Sequence, residues 1–277
     1  MLISLLTYLF INMITIDFAG SLFMTLRKKY TERSLFTPEN LLREARRQKS
    51  IPAGKIPTVC ILDPDGDIVE YLLKNKQANL NPFWACYHSK LFDFKIGRNK
   101  IGILGCAVGS SFAVLVAEQM FISGCELLIS ITSAGIIKDV SSRFLLIEKA
   151  LRDEGTSGHY IAPSQYSHIN KTLLQKMKYH FKTSPIPILC GSSWTTDAPF
   201  RETPSAIEQA KAINIDCVEM EAAALYAFAK AKNKQVICLA HLTNTMAQDE
   251  GDFEKGAENG SISSLCLINF VLKVIRG

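Results

Sequence analysis

The sequence predicts an α/β fold, a mixed central sheet flanked by helices on both faces, and three observations carry that prediction. Short apolar runs alternate with longer segments of helical periodicity along most of the chain. Runs such as TVCIL and QVICLAH are continuously apolar, the mark of strands buried on both sides. The composition, 48% hydrophobic and 21% charged over 277 residues with 16 glycines and 10 prolines, suits a chain that buries one large core. It excludes disordered, collagen-like and disulfide-scaffold classes.

The elements follow in order. Thr37-Pro38-Glu39 reads as an N-cap with proline at the first helical position, opening a helix to about Lys49. Pro57 to Leu62 is a strand stopped by the turn Asp63-Pro64-Asp65-Gly66. Leu91 to Ile96 and Lys100 to Leu104 flank Gly97-Arg98-Asn99 as a hairpin. A helix over Ala113 to Ile122 precedes strands at Glu126 to Ile131 and Arg143 to Glu148. Next come a helix near Lys171 to Phe181, a strand at Ile186 to Cys190 and a helix near Pro204 to Ala212. A strand at Ile215 to Val218 enters a helix from about Glu221 to Lys232, followed by a strand at Gln235 to His241 and a helix from about Ser263 to Val274.

Residues 1–33 are expected to form an apolar, then basic, extension, and residues 34–277 one domain. Leu2 to Leu26 holds Asp17 as its only formal charge, is long enough to span a bilayer, and is followed at once by Arg27-Lys28-Lys29. As a membrane anchor it would leave the body in the cytoplasm; alternatively the protein starts at Met24. Residues 27–50 hold eight basic side chains against three acidic ones, which equals the net charge of +5 for the whole chain. The body beyond residue 50 is therefore nearly neutral, and a nucleic-acid partner is not expected. Eight cysteines stand about 20 residues or more apart with no CxxC, so neither a metal site nor a disulfide framework is expected and a reducing cytoplasm is the natural compartment.

In α/β sheets ligands sit where strands end and helices begin, and five polar constellations fall at such points. Gly105-Cys106-Ala107-Val108-Gly109-Ser110-Ser111 is a glycine turn whose amides can hold an anion or simply turn the chain. Ser130-Ile131-Thr132-Ser133-Ala134-Gly135 carries hydroxyl donors at a strand end, or is a small-residue crossing where elements pack closely. Val218-Glu219-Met220-Glu221 places two carboxylates at a helix amino terminus; the macrodipole explains one of them, and vicinal hydroxyls of a ribose would use such a pair. Gly191 to Thr203 gathers Trp194, Asp197, Phe200 and Arg201 in one segment, a binding loop unless its aromatics are core. His241 to Met246 offers Asn244, an amide able to hydrogen-bond a heterocyclic base or to sit in a turn.

Together these segments resemble the nucleoside phosphorylase and uridine phosphorylase superfamily. VEMEAAALYAFA at 218–229 is similar to its ribose-binding motif, WTTDAPFRET at 194–203 to its base-side loop, LRDEGTSGHYIAP at 151–163 to the segment before that loop, and GCAVGSSFAVLVAEQ at 105–119 to its phosphate-side turn. The resemblance spans about 36–275 and implies a homo-oligomer, a trimer or hexamer, whose partners are a nucleoside and phosphate. Phosphate is then a co-substrate, with no cofactor, and the products are ribose 1-phosphate and free base. By resemblance Glu221 and Asn244 would be catalytic, and Glu219, Met220, Phe200, Asp197 and Arg201 would bind substrate. Gly109, Ser110, Ser133 and His88 would face phosphate.

Two departures shape the expectation. Asn244 stands where purine-cleaving relatives often carry an aspartic acid, which favours a pyrimidine nucleoside such as uridine, although the family's Gln-x-Arg uracil reader is missing. The family's phosphate arginines are replaced by Leu62-Asp63-Pro64-Asp65-Gly66 and by Ser130. His88, Arg152 and Arg201 are the candidate replacement cations. A hydrolytic nucleosidase of the same fold and a non-catalytic nucleoside-binding protein are the alternatives.

Overall fold

The computed structural model describes residues 30–245 and 250–276. The apolar stretch of the expected extension lies outside the described residues, among which no helix is long and apolar enough to cross a membrane.

Helix α1 (Pro38–Lys49) begins at Thr37, whose hydroxyl accepts the Asn40 amide at 3.3 Å, and buries Leu42 and Ala45. Strand β1 (Val59–Asp63) is buried throughout. The turn after it reaches Gly66 at φ +85°, a conformation that favours glycine, and leads straight into α2 (Asp67–Lys74). This helix was not expected, because DPDG reads as a loop; its apolar face is Ile68, Val69 and Leu72. After β2 (Asn79–Leu80), strands β3 (Phe92–Ile96) and β4 (Asn99–Gly105) form the expected hairpin, with Gly97 at φ +59°. Then follow α3 (Ser110–Ile122), β5 (Leu127–Ile136), β6 (Phe144–Asp153), β7 (Tyr166–His168) and α4 (Lys171–His180). The chain ends with β8 (Ile188–Thr196), α5 (Pro204–Ala212), β9 (Cys217–Glu219), α6 (Ala222–Lys232), β10 (Gln235–Asn244) and α7 (Ser261–Arg276).

The sheet is mixed and runs β10-β6-β8-β9-β5-β1-β4-β3-β2, with β7 on β6. An additional β10–β5 pairing closes β10, β6, β8, β9 and β5 into a ring, from which β1, β4, β3 and β2 extend as an open arm. Helices cover it in two groups: α1 on α3 on α6, and α7 against α2 and α4. Helix α6 is buried on all sides from Ala222 to Ala229, so its alanines serve close approach to β6 and α3. Within it the Tyr226 hydroxyl donates to the Ile147 carbonyl at 2.5 Å and accepts the Cys238 amide at 3.0 Å, which satisfies a polar group in the core.

Four strands run well past their expected ends: β6 continues from Glu148 to Asp153, and three others reach into polar segments. β5, β8 and β10 continue through Ser133, through Ser192 to Thr196, and through Asn244, because ladder pairing such as His241 with Ser133 and Thr195 with Glu219 persists where the side chains turn polar. β1, β4, β5 and β10 are mutually parallel. Their carboxyl ends therefore bring Asp63, Gly105, Ser133 and Asn244 to one edge of the sheet.

Candidate active site

At the β9–α6 junction the two glutamates have different surroundings. Glu219, 3% exposed, accepts from the Ser193 hydroxyl at 2.9 Å and the Thr195 hydroxyl at 2.5 Å, and its other oxygen accepts the amides of Glu221 and Ala222, each at 2.7 Å. All of this serves the start of α6 and its joint to β8. Burial raises its pKa, against the pull of those four donors.

Glu221, 1% exposed, accepts the Gly109 amide at 2.7 Å through Oε1. Its Oε2 has no hydrogen-bond partner among the described residues. Burial, and after it the negative charge of Glu219, push this carboxyl up to about 8; Asp65 adds to the rise, and the Gly109 amide and Thr132 hydroxyl oppose it. A buried, unpartnered carboxyl oxygen is costly in an empty fold and useful where a ligand hydroxyl completes it.

The glycine turn is built around this carboxyl. Gly109 has φ +87°, open space where a Cβ would stand, and an amide aimed at Glu221. The buried Ser110 hydroxyl donates to the Met220 carbonyl at 2.8 Å, fixing α3 to the β9–α6 junction. At the end of β5, Ser133 gives its amide and its hydroxyl to the two oxygens of Asp65, at 2.7 and 2.8 Å. Asp63 anchors that turn: it is 2% exposed, accepts the Val69 amide at 3.0 Å, and is pushed by burial up to about 7. The amide and hydroxyls that Gly109, Ser110 and Ser133 were expected to offer to phosphate are therefore engaged, two sets of them by carboxylates.

Asn244 is half-buried opposite Gly135, just beyond a register shift in the β10–β5 ladder, and its amide donates to the Thr243 hydroxyl at 3.1 Å. In the loop after β8, Asp197 accepts the Gly155 amide at 2.8 Å, Arg201 is exposed and Phe200 is 99% exposed. Trp194 is core, packed with Ile137, Ile215 and Val218, and its indole donates to Asp153 at 2.9 Å. His88 is exposed between β2 and β3, outside the hydrogen-bonded cluster around Glu221. Arg152 donates to the Ser157 and Ser164 hydroxyls, each at 2.7 Å, and lines a cavity of about 510 Å³ with Tyr30, Glu154 and Ile161.

Two residues beside the site were not nominated from sequence. Asp65 entered only as a missing arginine, yet it is the partner of Ser133. Lys255 lies between Asp65 and Asp67, at 3.6 and 2.5 Å, and comes from a segment without any motif.

The strand ends, the glycine turn and the paired glutamates thus meet at one edge of a mixed α/β sheet. The chain belongs to the phosphorylase superfamily, whose family model matches residues 58–276. Solved structures with the same fold include uridine phosphorylase from Vibrio fischeri ES114, 17% identical over 80% of this chain and 92% of that one, TM-score 0.65. Purine nucleoside phosphorylase from Toxoplasma gondii is 15% identical over 80% and 91%, TM-score 0.66. The 5′-methylthioadenosine/S-adenosylhomocysteine nucleosidase of Campylobacter jejuni is 18% identical over 79% and 99%, TM-score 0.61. By sequence, an uncharacterised protein of Acanthamoeba polyphaga mimivirus is 24% identical over 215 residues, 76% of this chain and 81% of that protein.

Proposed function

We propose that this protein cleaves the N-glycosidic bond of a nucleoside with water as the nucleophile. The observation that carries the reading is the pairing of buried Glu221, whose Oε2 is unpartnered among the described residues, with neighbouring donors that carboxylates already hold, the Gly109 amide by Glu221 and the Ser133 amide and hydroxyl by Asp65. A phosphate dianion placed there competes with Asp65 for the Ser133 donors and with Glu221 for the Gly109 amide, whereas a water meets acceptors for its protons.

In this reading a ribose hydroxyl donates to Glu221 Oε2, which favours loss of the proton the carboxyl holds in the ligand-free fold, and the carboxylate so formed stabilises the positive charge that builds on the ribose as the bond breaks. Asp65, held by Ser133, accepts a proton from the water that bonds to C1′. The electron pair of the broken C–N bond leaves with the base, and the Asn244 amide supports it by hydrogen bonding. An amide cannot protonate a purine, so a pyrimidine nucleoside such as uridine is the first substrate to try. Met220 lies between the two glutamates in sequence, where its side chain can pack on the sugar. Glu219 acts by holding the turn and not by touching substrate.

The test is base release from uridine, inosine and adenosine in phosphate-free buffer and again with phosphate. Equal rates are expected, and Asp65→Asn should slow release by about 100-fold or more. Cleavage that requires phosphate would return the site to phosphorolysis, the reaction expected from the resemblance.

A further inference from the structure

Lys255 has no part in the cleavage chemistry above, yet it is built into the site. Its side chain is 17% exposed, its ammonium lies 5.6 Å from the centre of the Phe253 ring, and it reaches Asp67 at 2.5 Å and Asp65 at 3.6 Å. Burial lowers the pKa of this ammonium, but the hydrogen bond to Asp67 and the charges of both aspartates outweigh burial and raise it. The segment that presents it is stitched to the end of β10. Asp252 accepts the amide and hydroxyl of Thr245 at 2.9 and 2.8 Å, and the Glu254 amide donates to the Thr243 carbonyl at 3.1 Å.

Asp65 needs such a partner. Asp63 and Asp67 share its turn and Glu221 faces it from the start of α6, while His241 on β10 is held neutral by burial near the same group. Among the described residues Lys255 is the cation that forms an ion pair with Asp65, whose side chain is one quarter exposed. Repulsion by Asp67, and by Asp63 and Glu221 once pH ionises them, favours rotation of Asp65 to solvent, which would release both Ser133 donors.

We propose that Lys255 is a positioning residue: its charge holds the Asp65 carboxylate on Ser133, in the orientation that faces the attacking water. The inference rests on the hydrolytic reading above. Two roles for Lys255 differ in outcome. As a tether it would fasten its segment to α2 through Asp67, the shorter contact, alongside the bond from Asn259 to Asp67 at 3.3 Å. As a positioning charge it acts through Asp65.

The experiment measures kcat and KM for base release from uridine, inosine and adenosine with wild type, Lys255→Met, Lys255→Gln, Lys255→Arg and Asp67→Asn, with a thermal melt of each. Lys255→Met and Lys255→Gln should lower kcat about 10- to 100-fold with KM within about twofold, the effect of a misplaced reacting group. Lys255→Arg should restore most of the loss, and Asp67→Asn should keep wild-type kcat. If Lys255→Met does not fold, Lys255→Gln, one atom shorter than lysine, removes the charge and keeps a polar end. Wild-type kcat in the glutamine variant overturns the proposal, and so does equal loss in Asp67→Asn, which would mark a tether. A wild-type protein that cleaves none of the three nucleosides overturns the cleavage reading itself, and this role with it.

Discussion

Replacing Glu221 by glutamine separates the cost of this site from its use. In the folded chain burial and Glu219 lift the carboxyl from the ordinary 4.5 to about 8. Between those values the folded protein holds a proton that the unfolded chain has released, so stability falls as pH rises. Each pH unit inside the window costs about 1.4 kcal/mol, which sums to about 3 to 4 kcal/mol between pH 5 and 8. Glu221→Gln removes this dependence. Its amide can still accept from Gly109, while its NH2 takes the place of the unpartnered oxygen at a fixed cost of about 1–3 kcal/mol. The offset between variant and wild type is therefore uninformative, and its slope with pH is the test. Urea denaturation of both proteins at pH 5, 6, 7 and 8 should show the variant gaining on wild type by about 3 to 4 kcal/mol across the series, while base release falls about 100-fold or more. A difference in stability that does not change with pH would refute the account of Glu221 as a buried carboxyl kept at energetic cost for substrate.

Two further outcomes come from its neighbours. Glu219→Ala leaves the Ser193 and Thr195 hydroxyls and the Glu221 and Ala222 amides without their acceptor, so urea denaturation should show a loss of about 3 kcal/mol or more. His241, stacked on Phe144 at 4.6 Å, is pushed down by burial to about 4. Its contribution is complete above the ordinary 6.5 and is lost as pH falls towards 4, by about 3 kcal/mol in total; His241→Asn should flatten that acid limb in thermal melts taken from pH 7 to 4.

The sequence made some parts of this site legible and hid others for physical reasons. The β9–α6 junction is readable because a short apolar run, two carboxylates and an alanine-rich helix follow within a dozen residues, and local order carries the whole arrangement. The fold class is readable because buried parallel strands leave continuous apolar runs. The reach of β5, β8 and β10 into their polar ends is not, since Ser133, Thr195 and Asn244 stay in the ladder by backbone pairing that side-chain character does not report. Asp65 reads as part of a plain turn, and its meaning depends on Ser133, 68 positions away. Lys255 is further still, joined to Asp67 across 188 positions, and no local pattern marks a lysine for such a contact.

The central claim is that water, and not phosphate, receives the ribose. It is tested most directly by identifying the sugar formed when the protein cleaves uridine, or whichever of inosine and adenosine it prefers, in saturating phosphate followed by phosphorus NMR. Free ribose with no new phosphate ester is the result predicted from the pairing of Asp65 with Ser133 and of Glu221 with Gly109. Accumulation of ribose 1-phosphate in step with base release would contradict it.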